Sequence, residues 1–116
     1  FLFTIGVVAN PQGLTSKQVL ENEVQTLRNN KNIPGDGAKL LADYRHSTIK
    51  DYQSGSVIGS FMRWGKDDDS ISDAIEIVSI NKAKIYTFMM HDGNGVVEGF
   101  QQKLIDQILS TFKFTN

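Results

Sequence analysis

The sequence predicts an α+β domain: a twisted antiparallel sheet of about five strands flanked by two amphipathic helices. Three observations carry that expectation. Runs rich in β-branched and aromatic residues, such as Phe1–Ala9, Ser56–Trp64 and Ile85–His91, are bounded by turn formers. Two stretches, Leu14–Asn30 and Val97–Phe112, place apolar residues at helical spacing. No linker, internal repeat or low-complexity segment divides the 116 residues, so residues 1–116 read as a single domain with one core.

Taken in order, Phe1–Ala9 is a first strand that stops at the turn cluster Asn10-Pro11-Gln12-Gly13. A helix follows. Thr15 is placed as its N-cap, Gln18 completes a capping box, and Leu14 and Val19 can form a hydrophobic staple. Leu20, Val24 and Leu27 make its core face, and Asn29–Gly37 is a loop. Ala38–Ile49 reads as a strand and turn, with Lys50–Gly55 as the breaker after it. In Ser56–Trp64, Ile58, Met62 and Trp64 share one face, and Val57, Phe61 and Arg63 the other. Gly65–Ser72, with Asp67, Asp68 and Asp69, is a solvated loop. Ala74–Ile80 and Ile85–His91 form a hairpin around Asn81-Lys82-Ala83-Lys84, with a three- or four-residue connection. The closing helix carries Val97, Phe100, Leu104, Ile105, Ile108 and Phe112 as its stripe, and Lys113–Thr115 forms an extended tail. The expected order is strand, helix, four strands, helix.

Composition narrows the function classes. Hydrophobic residues make up 40% and charged ones 22%, and 12 Lys and Arg against 13 Asp and Glu leave a net charge of -1. That balance lacks the basic footprint of a nucleic-acid binder. The absence of cysteine excludes a disulfide framework, a thiolate metal cage and a cysteine nucleophile. No apolar run approaches the roughly 20 residues of a membrane-spanning helix. The chain starts at Phe1, directly in strand-like sequence, and we read it as a processed or trimmed form of a longer protein.

Catalytic signals are sparse. His46 and His91 are the two histidines, and no nucleophile elbow or phosphate-binding loop accompanies them. Gly93-Asn94-Gly95 could offer an anion the start of the closing helix. Trp64, Tyr86, Phe88, Met89 and Met90 fall on central strands and are expected in the core rather than around a ligand, whereas Tyr44 and Tyr52 are expected at an exposed, dockable surface. With alternating strand directions, the Asp67-Asp68-Asp69 loop and His91-Asp92 should emerge at the same end of the sheet. Asp67, Asp69, His91 and Asp92 are therefore the candidate ligands of a weakly bound divalent cation, the only cofactor the sequence suggests.

The element order, the Asn81-Lys82-Ala83-Lys84-Ile85-Tyr86 hairpin and the ending Ile108-Leu109-Ser110-Thr111-Phe112-Lys113-Phe114 together resemble the PsbP-like family. The resemblance covers most of the chain and rests on packing motifs. It implies an α/β/α sandwich of the kind found in PsbP-related lipoproteins of bacteria and archaea, and a mostly non-enzymatic role, with metal binding known in the family. It also implies an extracytoplasmic or membrane-anchored protein, attached through a segment preceding Phe1. The expectation is thus a monomeric accessory or binding domain that docks to a protein partner or small ligand. The alternative is a small hydrolase-like enzyme with its site assembled around His46 or His91.

Overall fold

The computed structural model describes residues 2–29, 45–46, 48–65, 74–91 and 99–114. Its elements in chain order are β1 (Leu2–Ala9), α1 (Ser16–Asn29), β2 (Arg45–His46), β3 (Lys50–Ser54), β4 (Val57–Gly65), β5 (Ala74–Asn81), β6 (Lys84–His91) and α2 (Gly99–Thr111). Every pairing is antiparallel, and the sheet runs β1-β6-β5-β4, with β2 and β3 both paired to the remaining edge of β4. Six strand segments thus make a sheet five strands wide, because β2 and β3 occupy successive stretches of one edge.

Residues paired across an antiparallel ladder share a face, and neighbours along a strand alternate faces. That alternation sorts the core into two layers. Val57, Ile75, Ile77, Phe88 and Met90 pack with Ile105 and Leu109 of α2 on one face. Met62 and Val78 pack with Leu20 and Val24 of α1 on the other. The helices therefore cover opposite faces, and β5 between them is buried on both sides: Ile75, Glu76, Ile77, Val78 and Ser79 are all buried.

The entry to α1 follows the expected capping box. Thr15 Oγ1 accepts the Gln18 amide at 3.1 Å, and Gln18 Oε1 accepts the Thr15 amide at 2.9 Å, a motif worth about 1 kcal/mol. Asn10 does more than terminate β1. Its side chain accepts the Leu14 amide and donates to the Leu14 carbonyl, each at 2.9 Å, while its own amide donates to Ala83 O at 2.9 Å. One buried asparagine so ties the end of β1 to the start of α1 and to the β5–β6 turn.

Four expectations change. Lys50–Ser54 is not a breaker but the strand β3, which pairs from Lys50↔Phe61 to Ser54↔Val57. Its Asp51 and Gln53 are exposed on the face away from α2, while Tyr52 and Ser54 are half-buried and bonded to Asp106 of α2, and Gly55 at φ +61 turns it into β4. Among the described residues five strand segments, not four, consequently separate the helices. The β5–β6 connection is two residues, since Asn81 already pairs with Lys84. Lys82 and Ala83 both take positive φ, 49° and 61°, as the right-handed twist of a two-residue hairpin demands. In α2 the core face centres on Ile105 and Leu109, both fully buried, and Leu104 and Ile108 are only half-buried. Leu109 was absent from the expected stripe, because the face sits one residue further round the helix. Of the expected Ala38–Ile49 strand, Arg45–His46 is strand, Thr48 and Ile49 are not, and the rest lies outside the described residues, as do Val97 and the Gly93-Asn94-Gly95 run.

Beyond α2 the chain stays packed. Phe112 meets Phe88 with ring centroids 5.1 Å apart, and Phe114 meets Tyr86 at 4.8 Å, both edge to face. Pairs of this geometry add about 0.5–1.5 kcal/mol beyond their burial.

Candidate functional site

The most unusual surface of this domain is β1. Apart from Gly6 its residues are apolar or β-branched, with no charge and no proline, and it pairs with β6 without a bulge from Leu2↔His91 to Ala9↔Lys84. Yet every residue from Thr4 to Ala9 is exposed. Ile5 and Val7, on the α2 face, are 47% and 49% exposed, and Val8, on the α1 face, is 59% exposed. Both helices stop short of this strand, so apolar side chains meet solvent on both of its faces.

The backbone of β1 is equally open. In an antiparallel ladder, alternate residues exchange hydrogen bonds with the partner strand, and those between them point their amides and carbonyls away. The Asn10 amide bonds to Ala83 O, which sets the phase. Leu2, Thr4, Gly6 and Val8 turn their backbone groups toward β6, and Phe3, Ile5, Val7 and Ala9 turn theirs outward. Among the described residues no strand pairs with that outer side. Native sheets usually protect such an edge with charge, proline, a bulge or a covering element. β1 has no charge, proline or bulge, and among the described residues no element covers its outer side.

A second feature lies where α1 begins. An open depression of about 510 Å³ is lined by Leu14, Thr15, Lys17, Asp51, Ile58 and Ser60. Ser16 also lines it, with its Oγ 2.8 Å from Ser60 Oγ, and the lining Ile58 is 62% exposed. Its shallowness suits a resting side chain rather than an enclosed ligand.

The third feature is a pair of acids beneath α1. Glu76, in the middle of β5, is 1% exposed, and its cross-strand partners are Met62 and Met89. Glu23 reaches it from α1. Burial first, then the hydrogen bond to Glu76 and the charge of Glu76, push the Glu23 carboxyl up to about 8. Glu23 is therefore protonated at neutral pH, which avoids two charges in an apolar layer. Its Oε2 is buried without a hydrogen-bond partner among the described residues.

Of the residues singled out by sequence, Phe88 and Met90 are buried and Tyr86 and Met89 half-buried, as core residues should be. Tyr52 is not an open docking residue. It stacks on Phe61 and donates its hydroxyl to Asp106 Oδ1 at 2.7 Å, and burial followed by Asp106 raises its phenol above the usual range. Its aromatic type suggested exposure in a polar segment, whereas α2 supplies the partner. Tyr44 lies outside the described residues.

His46 and His91 fall in one register row, His46↔Trp64↔Ala74↔His91, with backbones three strand spacings apart, about 14 Å. β4 and β6 do end on the same side of the sheet, about 10 Å apart. Asp67, Asp69 and Asp92 lie outside the described residues. Among the described residues no three His, Asp or Glu side chains gather as a metal site, and no helix is long and apolar enough to cross a membrane. Exposed edge strands were legible only as strands: a single sequence shows that Phe1–Ala9 is apolar but not that it ends up at the rim. Compared with protein-family models, curated proteins and solved structures, the chain matches none.

Proposed function

We propose that this chain is a non-enzymatic docking domain that engages a protein partner by strand addition along the outer edge of β1. The observation that carries the reading is the uncharged, bulge-free strand whose side chains are exposed on both faces and whose outward backbone groups belong to Phe3, Ile5, Val7 and Ala9. Strand addition draws affinity from main-chain hydrogen bonds and selectivity from alternate side chains, and β1 offers both. An accessory role of the PsbP-like kind, outside the cytoplasm, agrees with this reading and is part of the proposal.

The test is a photo-crosslinking residue placed at Val7, and separately at Gln53 on β3, in cells that produce the protein. The expected result is a discrete adduct from position 7 and none from position 53. Adducts from neither position, or robust turnover lost on changing His46 or His91, would overturn the reading.

A further inference from the structure

We infer that the strand that completes this edge is β1 of a second copy, paired antiparallel about a two-fold axis that passes through Gly6. The inference rests on the docking reading above and names its partner.

Two constraints fix the pairing. Only outward-pointing residues can exchange hydrogen bonds across the new ladder, so Phe3, Ile5, Val7 and Ala9 must pair among themselves. A two-fold axis then has to centre on a residue of the strand rather than between two. Centred on Gly6, it pairs Ile5 with Val7 of the second copy, and Val7 with its Ile5, as hydrogen-bonded pairs. Phe3 meets Ala9, and Thr4 meets Val8. Every exposed apolar residue of β1 gains a cross-strand partner on its own face, and β-branched pairs of this kind stabilise a ladder. Centred on Ile5 the axis sets Thr4 against Gly6, and centred on Val7 it sets the exposed Val8 against Gly6, whereas the Gly6 axis sets the two glycines against each other and leaves no exposed apolar side chain opposite a glycine.

Gly6 suits the axis. It would face its own copy at a non-hydrogen-bonded position, where strands approach most closely, with about 4.5 Å between Cα atoms. A Cβ built on Gly6 meets nothing within 4 Å, so the space over that point is open. The strand carries no charge, and a second copy therefore brings no like-charge repulsion. Because paired residues keep their faces, the axis stands perpendicular to the sheet. Helices of the two copies lie beyond the uncovered β1 strands and do not meet across the seam.

The contact is small. Stable dimers bury roughly 800 Å² per partner, and Phe3–Ala9 with Ile5, Val7 and Val8 offers less, so the dimer is weak and reversible. Sedimentation across a dilution series should show a concentration-dependent dimer for the wild-type chain. Ile5→Pro removes an outward amide and no bond to β6, which an edge tolerates, and should sediment as a folded monomer at every concentration. The chain has no cysteine, so Gly6→Cys reports the axis directly. Its oxidation to a disulfide-linked dimer should run at least about tenfold faster than that of Lys17→Cys on α1, because pairing raises the effective thiol concentration. A wild-type chain that stays monomeric throughout, or a Gly6→Cys variant that links no faster than Lys17→Cys, would overturn the inference. A crosslinked adduct from Val7 whose mass differs from twice the chain would retire the second copy yet keep the docking edge, whereas no adduct at all would sink both.

Discussion

The two edges of this sheet are built in opposite ways. At one, β3 is five residues long, carries Lys50 and Asp51, and shares its side of β4 with the two-residue β2. It is also fastened to α2: Tyr52 donates to the Asp106 carboxylate, Ser54 Oγ donates to Asp106 O at 2.6 Å, and the Gly55 turn abuts the Ser110 backbone. At the other edge, β1 is eight residues long and uncharged, and among the described residues it is held by β6, by the Asn10 linkage and by Phe3 packed against the core. Short length and charge discourage edge pairing, and a covering helix discourages it further. One edge therefore ends the sheet, and the other leaves it ready to continue.

The comparison breaks most readily through the helix that closes the β3 edge. Leu109→Ala should cost on the order of 2–5 kcal/mol in equilibrium unfolding, since its side chain is fully buried among Val57, Ile77 and Phe88. The half-buried Ile108→Ala should cost clearly less. Equal losses would mean that the α2 face is not the one described.

Gly55→Val attacks the same edge at its turn. The residue would have to hold φ +61 and set a Cβ into the Ser110 backbone, for a loss of about 2–3 kcal/mol in denaturant titration. A neutral outcome would show that the turn is not pressed against α2.

A third experiment concerns the layer between the edges. Glu23 has a raised carboxyl in the folded state, about 8 against 4.5, so the folded chain holds a proton that the unfolded chain has released. The stability this gives is complete below about pH 4.5 and falls as pH rises through about 8. After discounting for solvent that still reaches Glu23, the loss should be on the order of 1–2 kcal/mol. Glu23→Gln should flatten that slope while sparing both edges, and an unchanged slope would mean that Glu23 is not held protonated in the folded chain.

The smallest effect on stability belongs to β1. Val7→Lys places charge on a half-exposed side chain of the free edge and should change folding stability by no more than about 0.5 kcal/mol. It should all the same hold the chain monomeric across the dilution series, because two lysines would then face each other's edge. A large destabilisation would mean that Val7 is part of the core.

Much of the fold could be read from residue type. Thr15 and Gln18 announce the α1 cap, and Leu20 with Val24 its face, because capping and helical period are local. The hairpin Asn81–Lys84 was legible as a turn, but its two-residue form depends on twist, which Lys82 and Ala83 accept against their own preference. β3 escaped notice because its partners are distant: Tyr52 and Ser54 are held by Asp106, more than fifty residues away. The position of β1 at the open edge has no sequence signal for a related reason. Val7 and Val78 look alike in sequence, and only the strand order β1-β6-β5-β4 puts one at the rim and the other under α1. The acid pair Glu23 and Glu76 gave no signal at all, since each alone reads as an ordinary surface residue.

Residue-by-residue amide exchange tests the contrast between the edges most directly. In dilute protein the amides of Ile5 and Val7 should exchange quickly, and those of Gly6 and Val8, bonded to β6, slowly. Raising the protein concentration should then protect Ile5 and Val7 while leaving β3 unchanged. Protection that grows at Lys50–Ser54 instead, or Ile5 and Val7 amides already slow in dilute solution, would contradict the account.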